Sequence, residues 1–189
     1  ALALGLAGVI LKENLYDADY VKRWTDLPLL VRTDTLKFVK AGEVFGTAPG
    51  ALSNQTRVLA DDEKEPAPGT HRDMLVPNKM RQEWGDYVWW DKSANAPRAI
   101  TRDEVGEKSQ VGDPLLEGSV EVTLADGKTV RCRPSFDMVK EYAAHFDPKT
   151  IEELTWAPAG TLEMLARHIA SDPGTTLFAI GMGPNQFFN

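Results

Sequence analysis

At 189 residues, 42% hydrophobic and 26% charged, the chain has ordinary globular composition and is long enough for one core or for parts of two. A formal net charge of −7 without a clustered basic stripe argues against nucleic acid or an anionic membrane surface as a partner. The single cysteine, Cys132, excludes an intramolecular disulfide and any all-cysteine metal site within the chain; in a strand it reads as a small buried hydrophobe.

The first stretch, Ala1-Leu-Ala-Leu-Gly-Leu-Ala-Gly-Val-Ile-Leu11, is apolar but too short to span a bilayer, which needs about 20 residues, and it lacks the positive leader of a signal peptide. It reads as the body of a packed helix in which Gly5 and Gly8 let a neighbour approach closely. Asp17 then caps a short helix running to Trp24, with Tyr20, Val21 and Trp24 on its buried side. Leu27 to Asp34 is an extended segment.

From Lys40 to Asp86 periodicity dissolves among Pro49-Gly50, the acidic run Asp61 to Glu65, Pro66-Ala-Pro-Gly69 and Pro77-Asn78, as expected of a surface insertion over 42–86. His71, within it, has no partner at metal-ligand spacing and reads as solvent-exposed. Tyr87 to Asp91 resumes as a strand, Ala94-Asn-Ala-Pro97 turns the chain, and Ala99-Ile100 pairs back. Trp89 and Trp90 face opposite ways on such a strand, so at most one could stack on a cofactor; packing is the simpler role for both. Alternation on either side of Ala125-Asp-Gly-Lys128 predicts a hairpin of 119–124 with 129–133.

Phe136 to His145 has Phe136, Val139, Tyr142 and Ala143 spaced for one buried helical face. Asp147-Pro148 is a cap followed by proline at the first helical position, and Thr161 to Ala170 carries the stripe Leu162, Leu165, Ala166, Ile169. His145 and His168 fall near helix carboxyl termini, where the dipole favours a cation. Thr175 to Ile180 predicts a buried parallel strand discharging into Gly181-Met-Gly-Pro-Asn185. Such a loop brings backbone N–H groups close to a phosphate or heterocycle, and it also serves as a plain conformational turn. Gln186, where a dinucleotide fingerprint needs its third glycine, argues against an ordinary NAD site.

Trp24-Thr-Asp-Leu-Pro-Leu-Leu-Val-Arg-Thr-Asp-Thr35, Trp90-Asp-Lys-Ser-Ala-Asn-Ala-Pro97, Leu116 to Gly127, Leu165-Ala-Arg-His-Ile-Ala170 and Gly181-Met-Gly-Pro-Asn-Gln186 together resemble the catalytic (alpha) subunit of molybdopterin oxidoreductases of the dimethyl-sulfoxide reductase superfamily. The similarity points to the branch holding nitrate reductases, nitrite oxidoreductases, selenate and chlorate reductases and ethylbenzene dehydrogenase. The resemblance implies an α/β fold, an internal fragment of a multi-domain enzyme with mixed helices and strands, a β-hairpin, and a final parallel-sheet strand with its Gly-x-Gly loop. Residues 1–41 would end one lobe, 42–86 form the insertion, and 87–189 lead into the cofactor loop.

By the same resemblance Gly181, Met182, Gly183 and Asn185 would contact a molybdenum bis-molybdopterin guanine dinucleotide. No catalytic residue and no metal ligand is expected in this chain, because the molybdenum ligand and the iron–sulfur cluster belong to other parts of the parent. The implied activity is oxygen-atom transfer coupled to electron transfer, with nitrite oxidation or nitrate reduction first. Selenate, chlorate or perchlorate reduction and hydrocarbon dehydrogenation are the alternatives within the branch. Implied partners are an iron–sulfur electron-transfer subunit, a haem or membrane-anchor subunit and a small inorganic substrate, in a membrane-associated complex facing periplasm or cytoplasm. A reading from another class is a non-catalytic α/β binding or scaffold module.

Overall fold

The structure, a computed structural model, describes residues 1–46, 57–59, 75–77, 86–100, 111–172 and 174–176. They fall into two compact units, one of 1–16 with 140–189 and one of 17–139.

The larger unit is built on an antiparallel sheet in which β7 (Thr129–Pro134) lies between β1 (Leu30–Arg32) and β6 (Val120–Thr123). Strand β7 alternates as a half-buried strand must: Val130, Cys132 and Pro134 are buried and Thr129 and Arg131 are exposed. The β6–β7 hairpin forms where the Asp-Gly signal puts it. Gly127 takes φ +85°, and its N–H donates to the Leu124 carbonyl at 2.9 Å. Its buried face packs with Leu30, Val39, Ala41 and Val88 into one core.

Cys132 is fully buried there, as expected for an inert core residue. Burial pushes its thiol up to about 11, because the thiolate would have to leave water.

A second hairpin pairs β4 (Tyr87–Asp91) with β5 (Ala96–Ile100), Trp89 opposite Arg98. Trp89 is buried against Leu29 and Ile100, while Trp90 packs on the main core. This matches the packing role expected of both. The expected extended run from Leu27 shortens to the three residues of β1, with Leu29 bridging to Trp89. Helix α3 (Ala41–Phe45) begins where periodicity was expected to fade. Beyond it, β2 (Arg57–Leu59) and β3 (Leu75–Pro77) form a parallel pair; the rest of 47–85, including His71 and the acidic run, lies outside the described residues.

Helix α2 (Ala18–Trp24) is capped as expected, the Asp17 carboxylate accepting the Tyr20 N–H at 2.9 Å. Its buried side is narrower than expected. Val21 is buried, but Tyr20 and Trp24 are 58% and 47% exposed. At 100° per residue Tyr20 and Trp24 point about 100° and 60° away from Val21, too wide for a seven-residue helix touching its core along one line. The same correction applies to α4 (Ser135–Ala143): Phe136 and Ala143 are buried, whereas Val139 and Tyr142 are exposed. Tyr142 lies about 120° around the helix from Phe136.

In the smaller unit α1 (Leu2–Lys12), α5 (Pro148–Thr155) and α6 (Thr161–Ser171) enclose Val9, Ile151, Leu162 and Ala166. Of the expected stripe of α6, Leu162 and Ala166 are buried in this core, and Leu165 and Ile169 are half-buried. Asp147 caps α5 by accepting the Thr150 N–H at 2.9 Å, with Pro148 in the first turn. Both glycines of α1 are buried and serve close approach, as their spacing suggested. A Cβ on Gly5 would stand 2.8 Å from Ile151 and Leu162 side-chain carbons, and one on Gly8 would stand 3.0 Å from the Ala143 carbonyl oxygen. The expected mixed α/β character is present, with antiparallel pairing in the three-stranded sheet and in the β4–β5 hairpin. Thr175 and Thr176 are irregular, and 177–189 lie outside the described residues.

Gly5→Val should therefore destabilise the chain by about 2 kcal/mol through overpacking. Gly42→Ala, in α3 with nothing within 4 Å of the new Cβ, should stabilise by about 0.5 kcal/mol through reduced unfolded-state freedom. Urea denaturation of both variants checks the pair, and equal midpoints would remove the packing argument. The Cys132 thiol should resist a water-soluble disulfide reagent at pH 8 in the native state and react fully once denaturant unfolds the chain.

Candidate functional site

The densest polar arrangement among the described residues is built on Asp91, the last residue of β4. Its carboxylate is fully buried. Oδ1 accepts the Ser93 N–H at 2.9 Å, the Ser93 hydroxyl at 2.6 Å and the Asp113 N–H at 3.0 Å, and Oδ2 accepts Nε of Arg98 at 2.6 Å. Each partner follows from the local fold. Ser93 lies in the β4–β5 turn two residues on, Arg98 comes back along β5, and residues 113–115 run beside β4. The Lys92 N–H donates to the Asp113 carbonyl at 2.8 Å, and the Leu115 N–H to the Trp90 carbonyl at 2.9 Å. Gly112 passes so close to the carboxylate that a Cβ there would overlap it.

Burial acts to raise the Asp91 pKa, but the combined donors from Ser93, Asp113 and Arg98 outweigh it and hold the carboxyl well below the usual range. Asp113 in turn receives Lys22 from α2 at 2.8 Å and Lys92 at 2.7 Å. Burial opposes those ammonium groups, and the net result is again a lowered pKa. An ionised carboxylate with both oxygens occupied is a poor proton carrier. Its effect is to fix the geometry of the Trp90 to Pro97 segment and the Gly112-Asp113-Pro114 segment against each other.

A second buried carboxylate, Glu152 on α5, accepts the Gly160 N–H at 2.9 Å and the Leu162 N–H at 3.0 Å. These are amide groups that α6 leaves unpaired at its amino terminus. That terminus is already matched by a side chain and is not open to a phosphate.

The loop residues chosen from sequence, Gly181, Met182, Gly183 and Asn185, lie outside the described residues. Among the described residues no group of three or more His, Cys, Asp or Glu side chains could hold a metal, and Cys132 is buried, its thiolate disfavoured by desolvation. The donor set among the described residues does not fit a molybdenum or iron–sulfur ligand role. No described helix is long and apolar enough to cross a membrane.

Sequence reasoning passed over Asp91 and Glu152. Asp91 had a signal: a carboxylate ending an apolar strand run, Tyr87-Val-Trp-Trp, with serine two residues later in a turn. Glu152 had none, since its partners lie across the α5–α6 loop and one further acid on a polar helix looks solvated.

Asp91→Ala should cost about 3 kcal/mol, near the low end for breaking a buried ion pair because Arg98 keeps partial access to water, and Asp91→Asn should cost less. The folded pKa of Asp91 lies below its unfolded value of about 3.9. Its stabilisation is therefore complete above that value and is lost as pH falls through the folded pKa. In denaturation profiles from pH 7 to 2 the wild type should lose stability below about pH 4 more steeply than Asp91→Asn; parallel profiles would remove Asp91 from the account.

No family model matches the chain. It is 31% identical to the perchlorate reductase subunit alpha of Dechloromonas aromatica over 90% of this chain and 17% of that protein. It is 28% identical to the respiratory nitrate reductase subunit alpha of Haloferax mediterranei over 100% of this chain and 17% of that protein. To the dopamine dehydroxylase of Eggerthella lenta it is 27% identical over 93% of this chain and 21% of that protein. The chain thus spans about a fifth of the length of the curated relatives it matches. The resemblance seen in the separate motifs extends along nearly the whole sequence, and the chain belongs, as a segment of the alpha subunit, to the molybdopterin oxidoreductases.

Proposed function

We propose that the chain is part of the catalytic subunit of a molybdenum oxidoreductase that interconverts nitrate and nitrite, coupling oxygen-atom transfer to electron transfer. The observation that carries this reading is the similarity to a respiratory nitrate reductase alpha subunit along the entire chain. Perchlorate reduction is the second reading, favoured by the somewhat higher identity to a perchlorate reductase alpha subunit. In this proposal a bis-molybdopterin guanine dinucleotide supplies the redox-active metal at which the oxygen atom is exchanged, and an iron–sulfur cluster of the parent chain with a partner iron–sulfur subunit carries the electrons.

This chain's contribution is positional. Gly181, Met182, Gly183 and Asn185 bring backbone N–H groups and one amide to the pterin or its pyrophosphate. The three-stranded sheet and the Asp91 network fix the frame of the unit formed by residues 17–139.

The substrate is tested with the intact parent enzyme and a reduced viologen dye as electron donor. A kcat/KM for nitrate above those for perchlorate, chlorate and selenate is expected. A preference for perchlorate would move the assignment to the second reading, and failure with every oxyanion would overturn both.

The loop is tested by two variants of the same enzyme. Gly183→Val should lose molybdenum and pterin content, because its side chain would fill the approach to the cofactor. Asn185→Ala should keep a weakened site with lower activity, a loss of about 1 to 3 kcal/mol for the missing hydrogen bond. Metal analysis and pterin fluorescence, read beside the melting temperature, separate cofactor loss from misfolding. Full occupancy and wild-type turnover in both variants would reduce the loop to a turn.

A further inference from the structure

We draw no further inference here: the strongest candidate, the cleft beside β1 lined by Leu36, Phe38, Lys37, Lys40 and Tyr87, is an exposed apolar face whose Lys40 already stacks on Tyr87 and whose Arg32 is matched by Asp34 and Glu43, and nothing in the structure shows what covers it.

Discussion

The pairing of β1 with β7 is the constraint on which the larger unit depends. Leu30 stands opposite Pro134 and Arg32 opposite Cys132, and the contact continues past the strand ends. The Thr33 N–H donates to the Arg131 carbonyl at 3.0 Å, the Ser135 N–H to the Leu29 carbonyl at 2.9 Å and the Phe136 N–H to the Leu27 carbonyl at 2.9 Å. Without this pairing β7 would have a partner only in β6, and Leu30 would leave the core. Closing a loop of such length is costly, but each doubling adds only about 0.6 kcal/mol. A long excursion between β1 and β4 is therefore tolerated at little thermodynamic expense once the closure has been made. Stability comes from what the closure assembles: Leu30, Val122, Val130 and Cys132 are brought together with Val39 and Val88, and none of these side chains could be buried by its own element alone.

Of the three buried carboxylates among the described residues, Asp86, Asp91 and Glu152, the last two illustrate how charge is used in the interior. Burying an unpaired carboxylate costs several kcal/mol, so each is tolerated only with its oxygens satisfied. Asp91 collects donors from its own turn, from the returning strand and from the segment at 112–114, and Glu152 collects the first amides of a helix. Both replace water on backbone groups that would otherwise be buried without partners. Neither has the exposure of a general acid or base. They specify where short segments lie.

The relationship to the molybdopterin oxidoreductases gives these features a setting. The chain spans about a fifth of its relatives' length, and the described residues carry no metal-ligand cluster. On the function proposed above, its part in the parent enzyme is framework and, through the Gly181 to Asn185 loop, cofactor contact. The acidic charge of the chain and its inert, buried Cys132 are consistent with that division of labour.

What the sequence alone determined is what short-range physics governs. The Asp126-Gly127 hairpin, the Asp17 and Asp147 caps, the glycine face of α1 and the apolar stripe of α6 rest on groups three or four residues apart or on strand alternation, so the chain itself encodes them. The family, too, was legible in the separate motifs, whereas the site residues 181, 182, 183 and 185 were legible only through that resemblance, since a Gly-x-Gly turn has no ligand written into it. The tertiary structure decided which of several apolar residues on a short helix is covered. Tyr20, Trp24, Val139 and Tyr142 have the right character for burial, yet remain exposed because the contact line of α2 and of α4 is narrower than their apolar faces. It also decided the roles of Asp91 and Glu152. A carboxylate's effect depends on which donors surround it, and those donors come from segments that only the folded chain brings together.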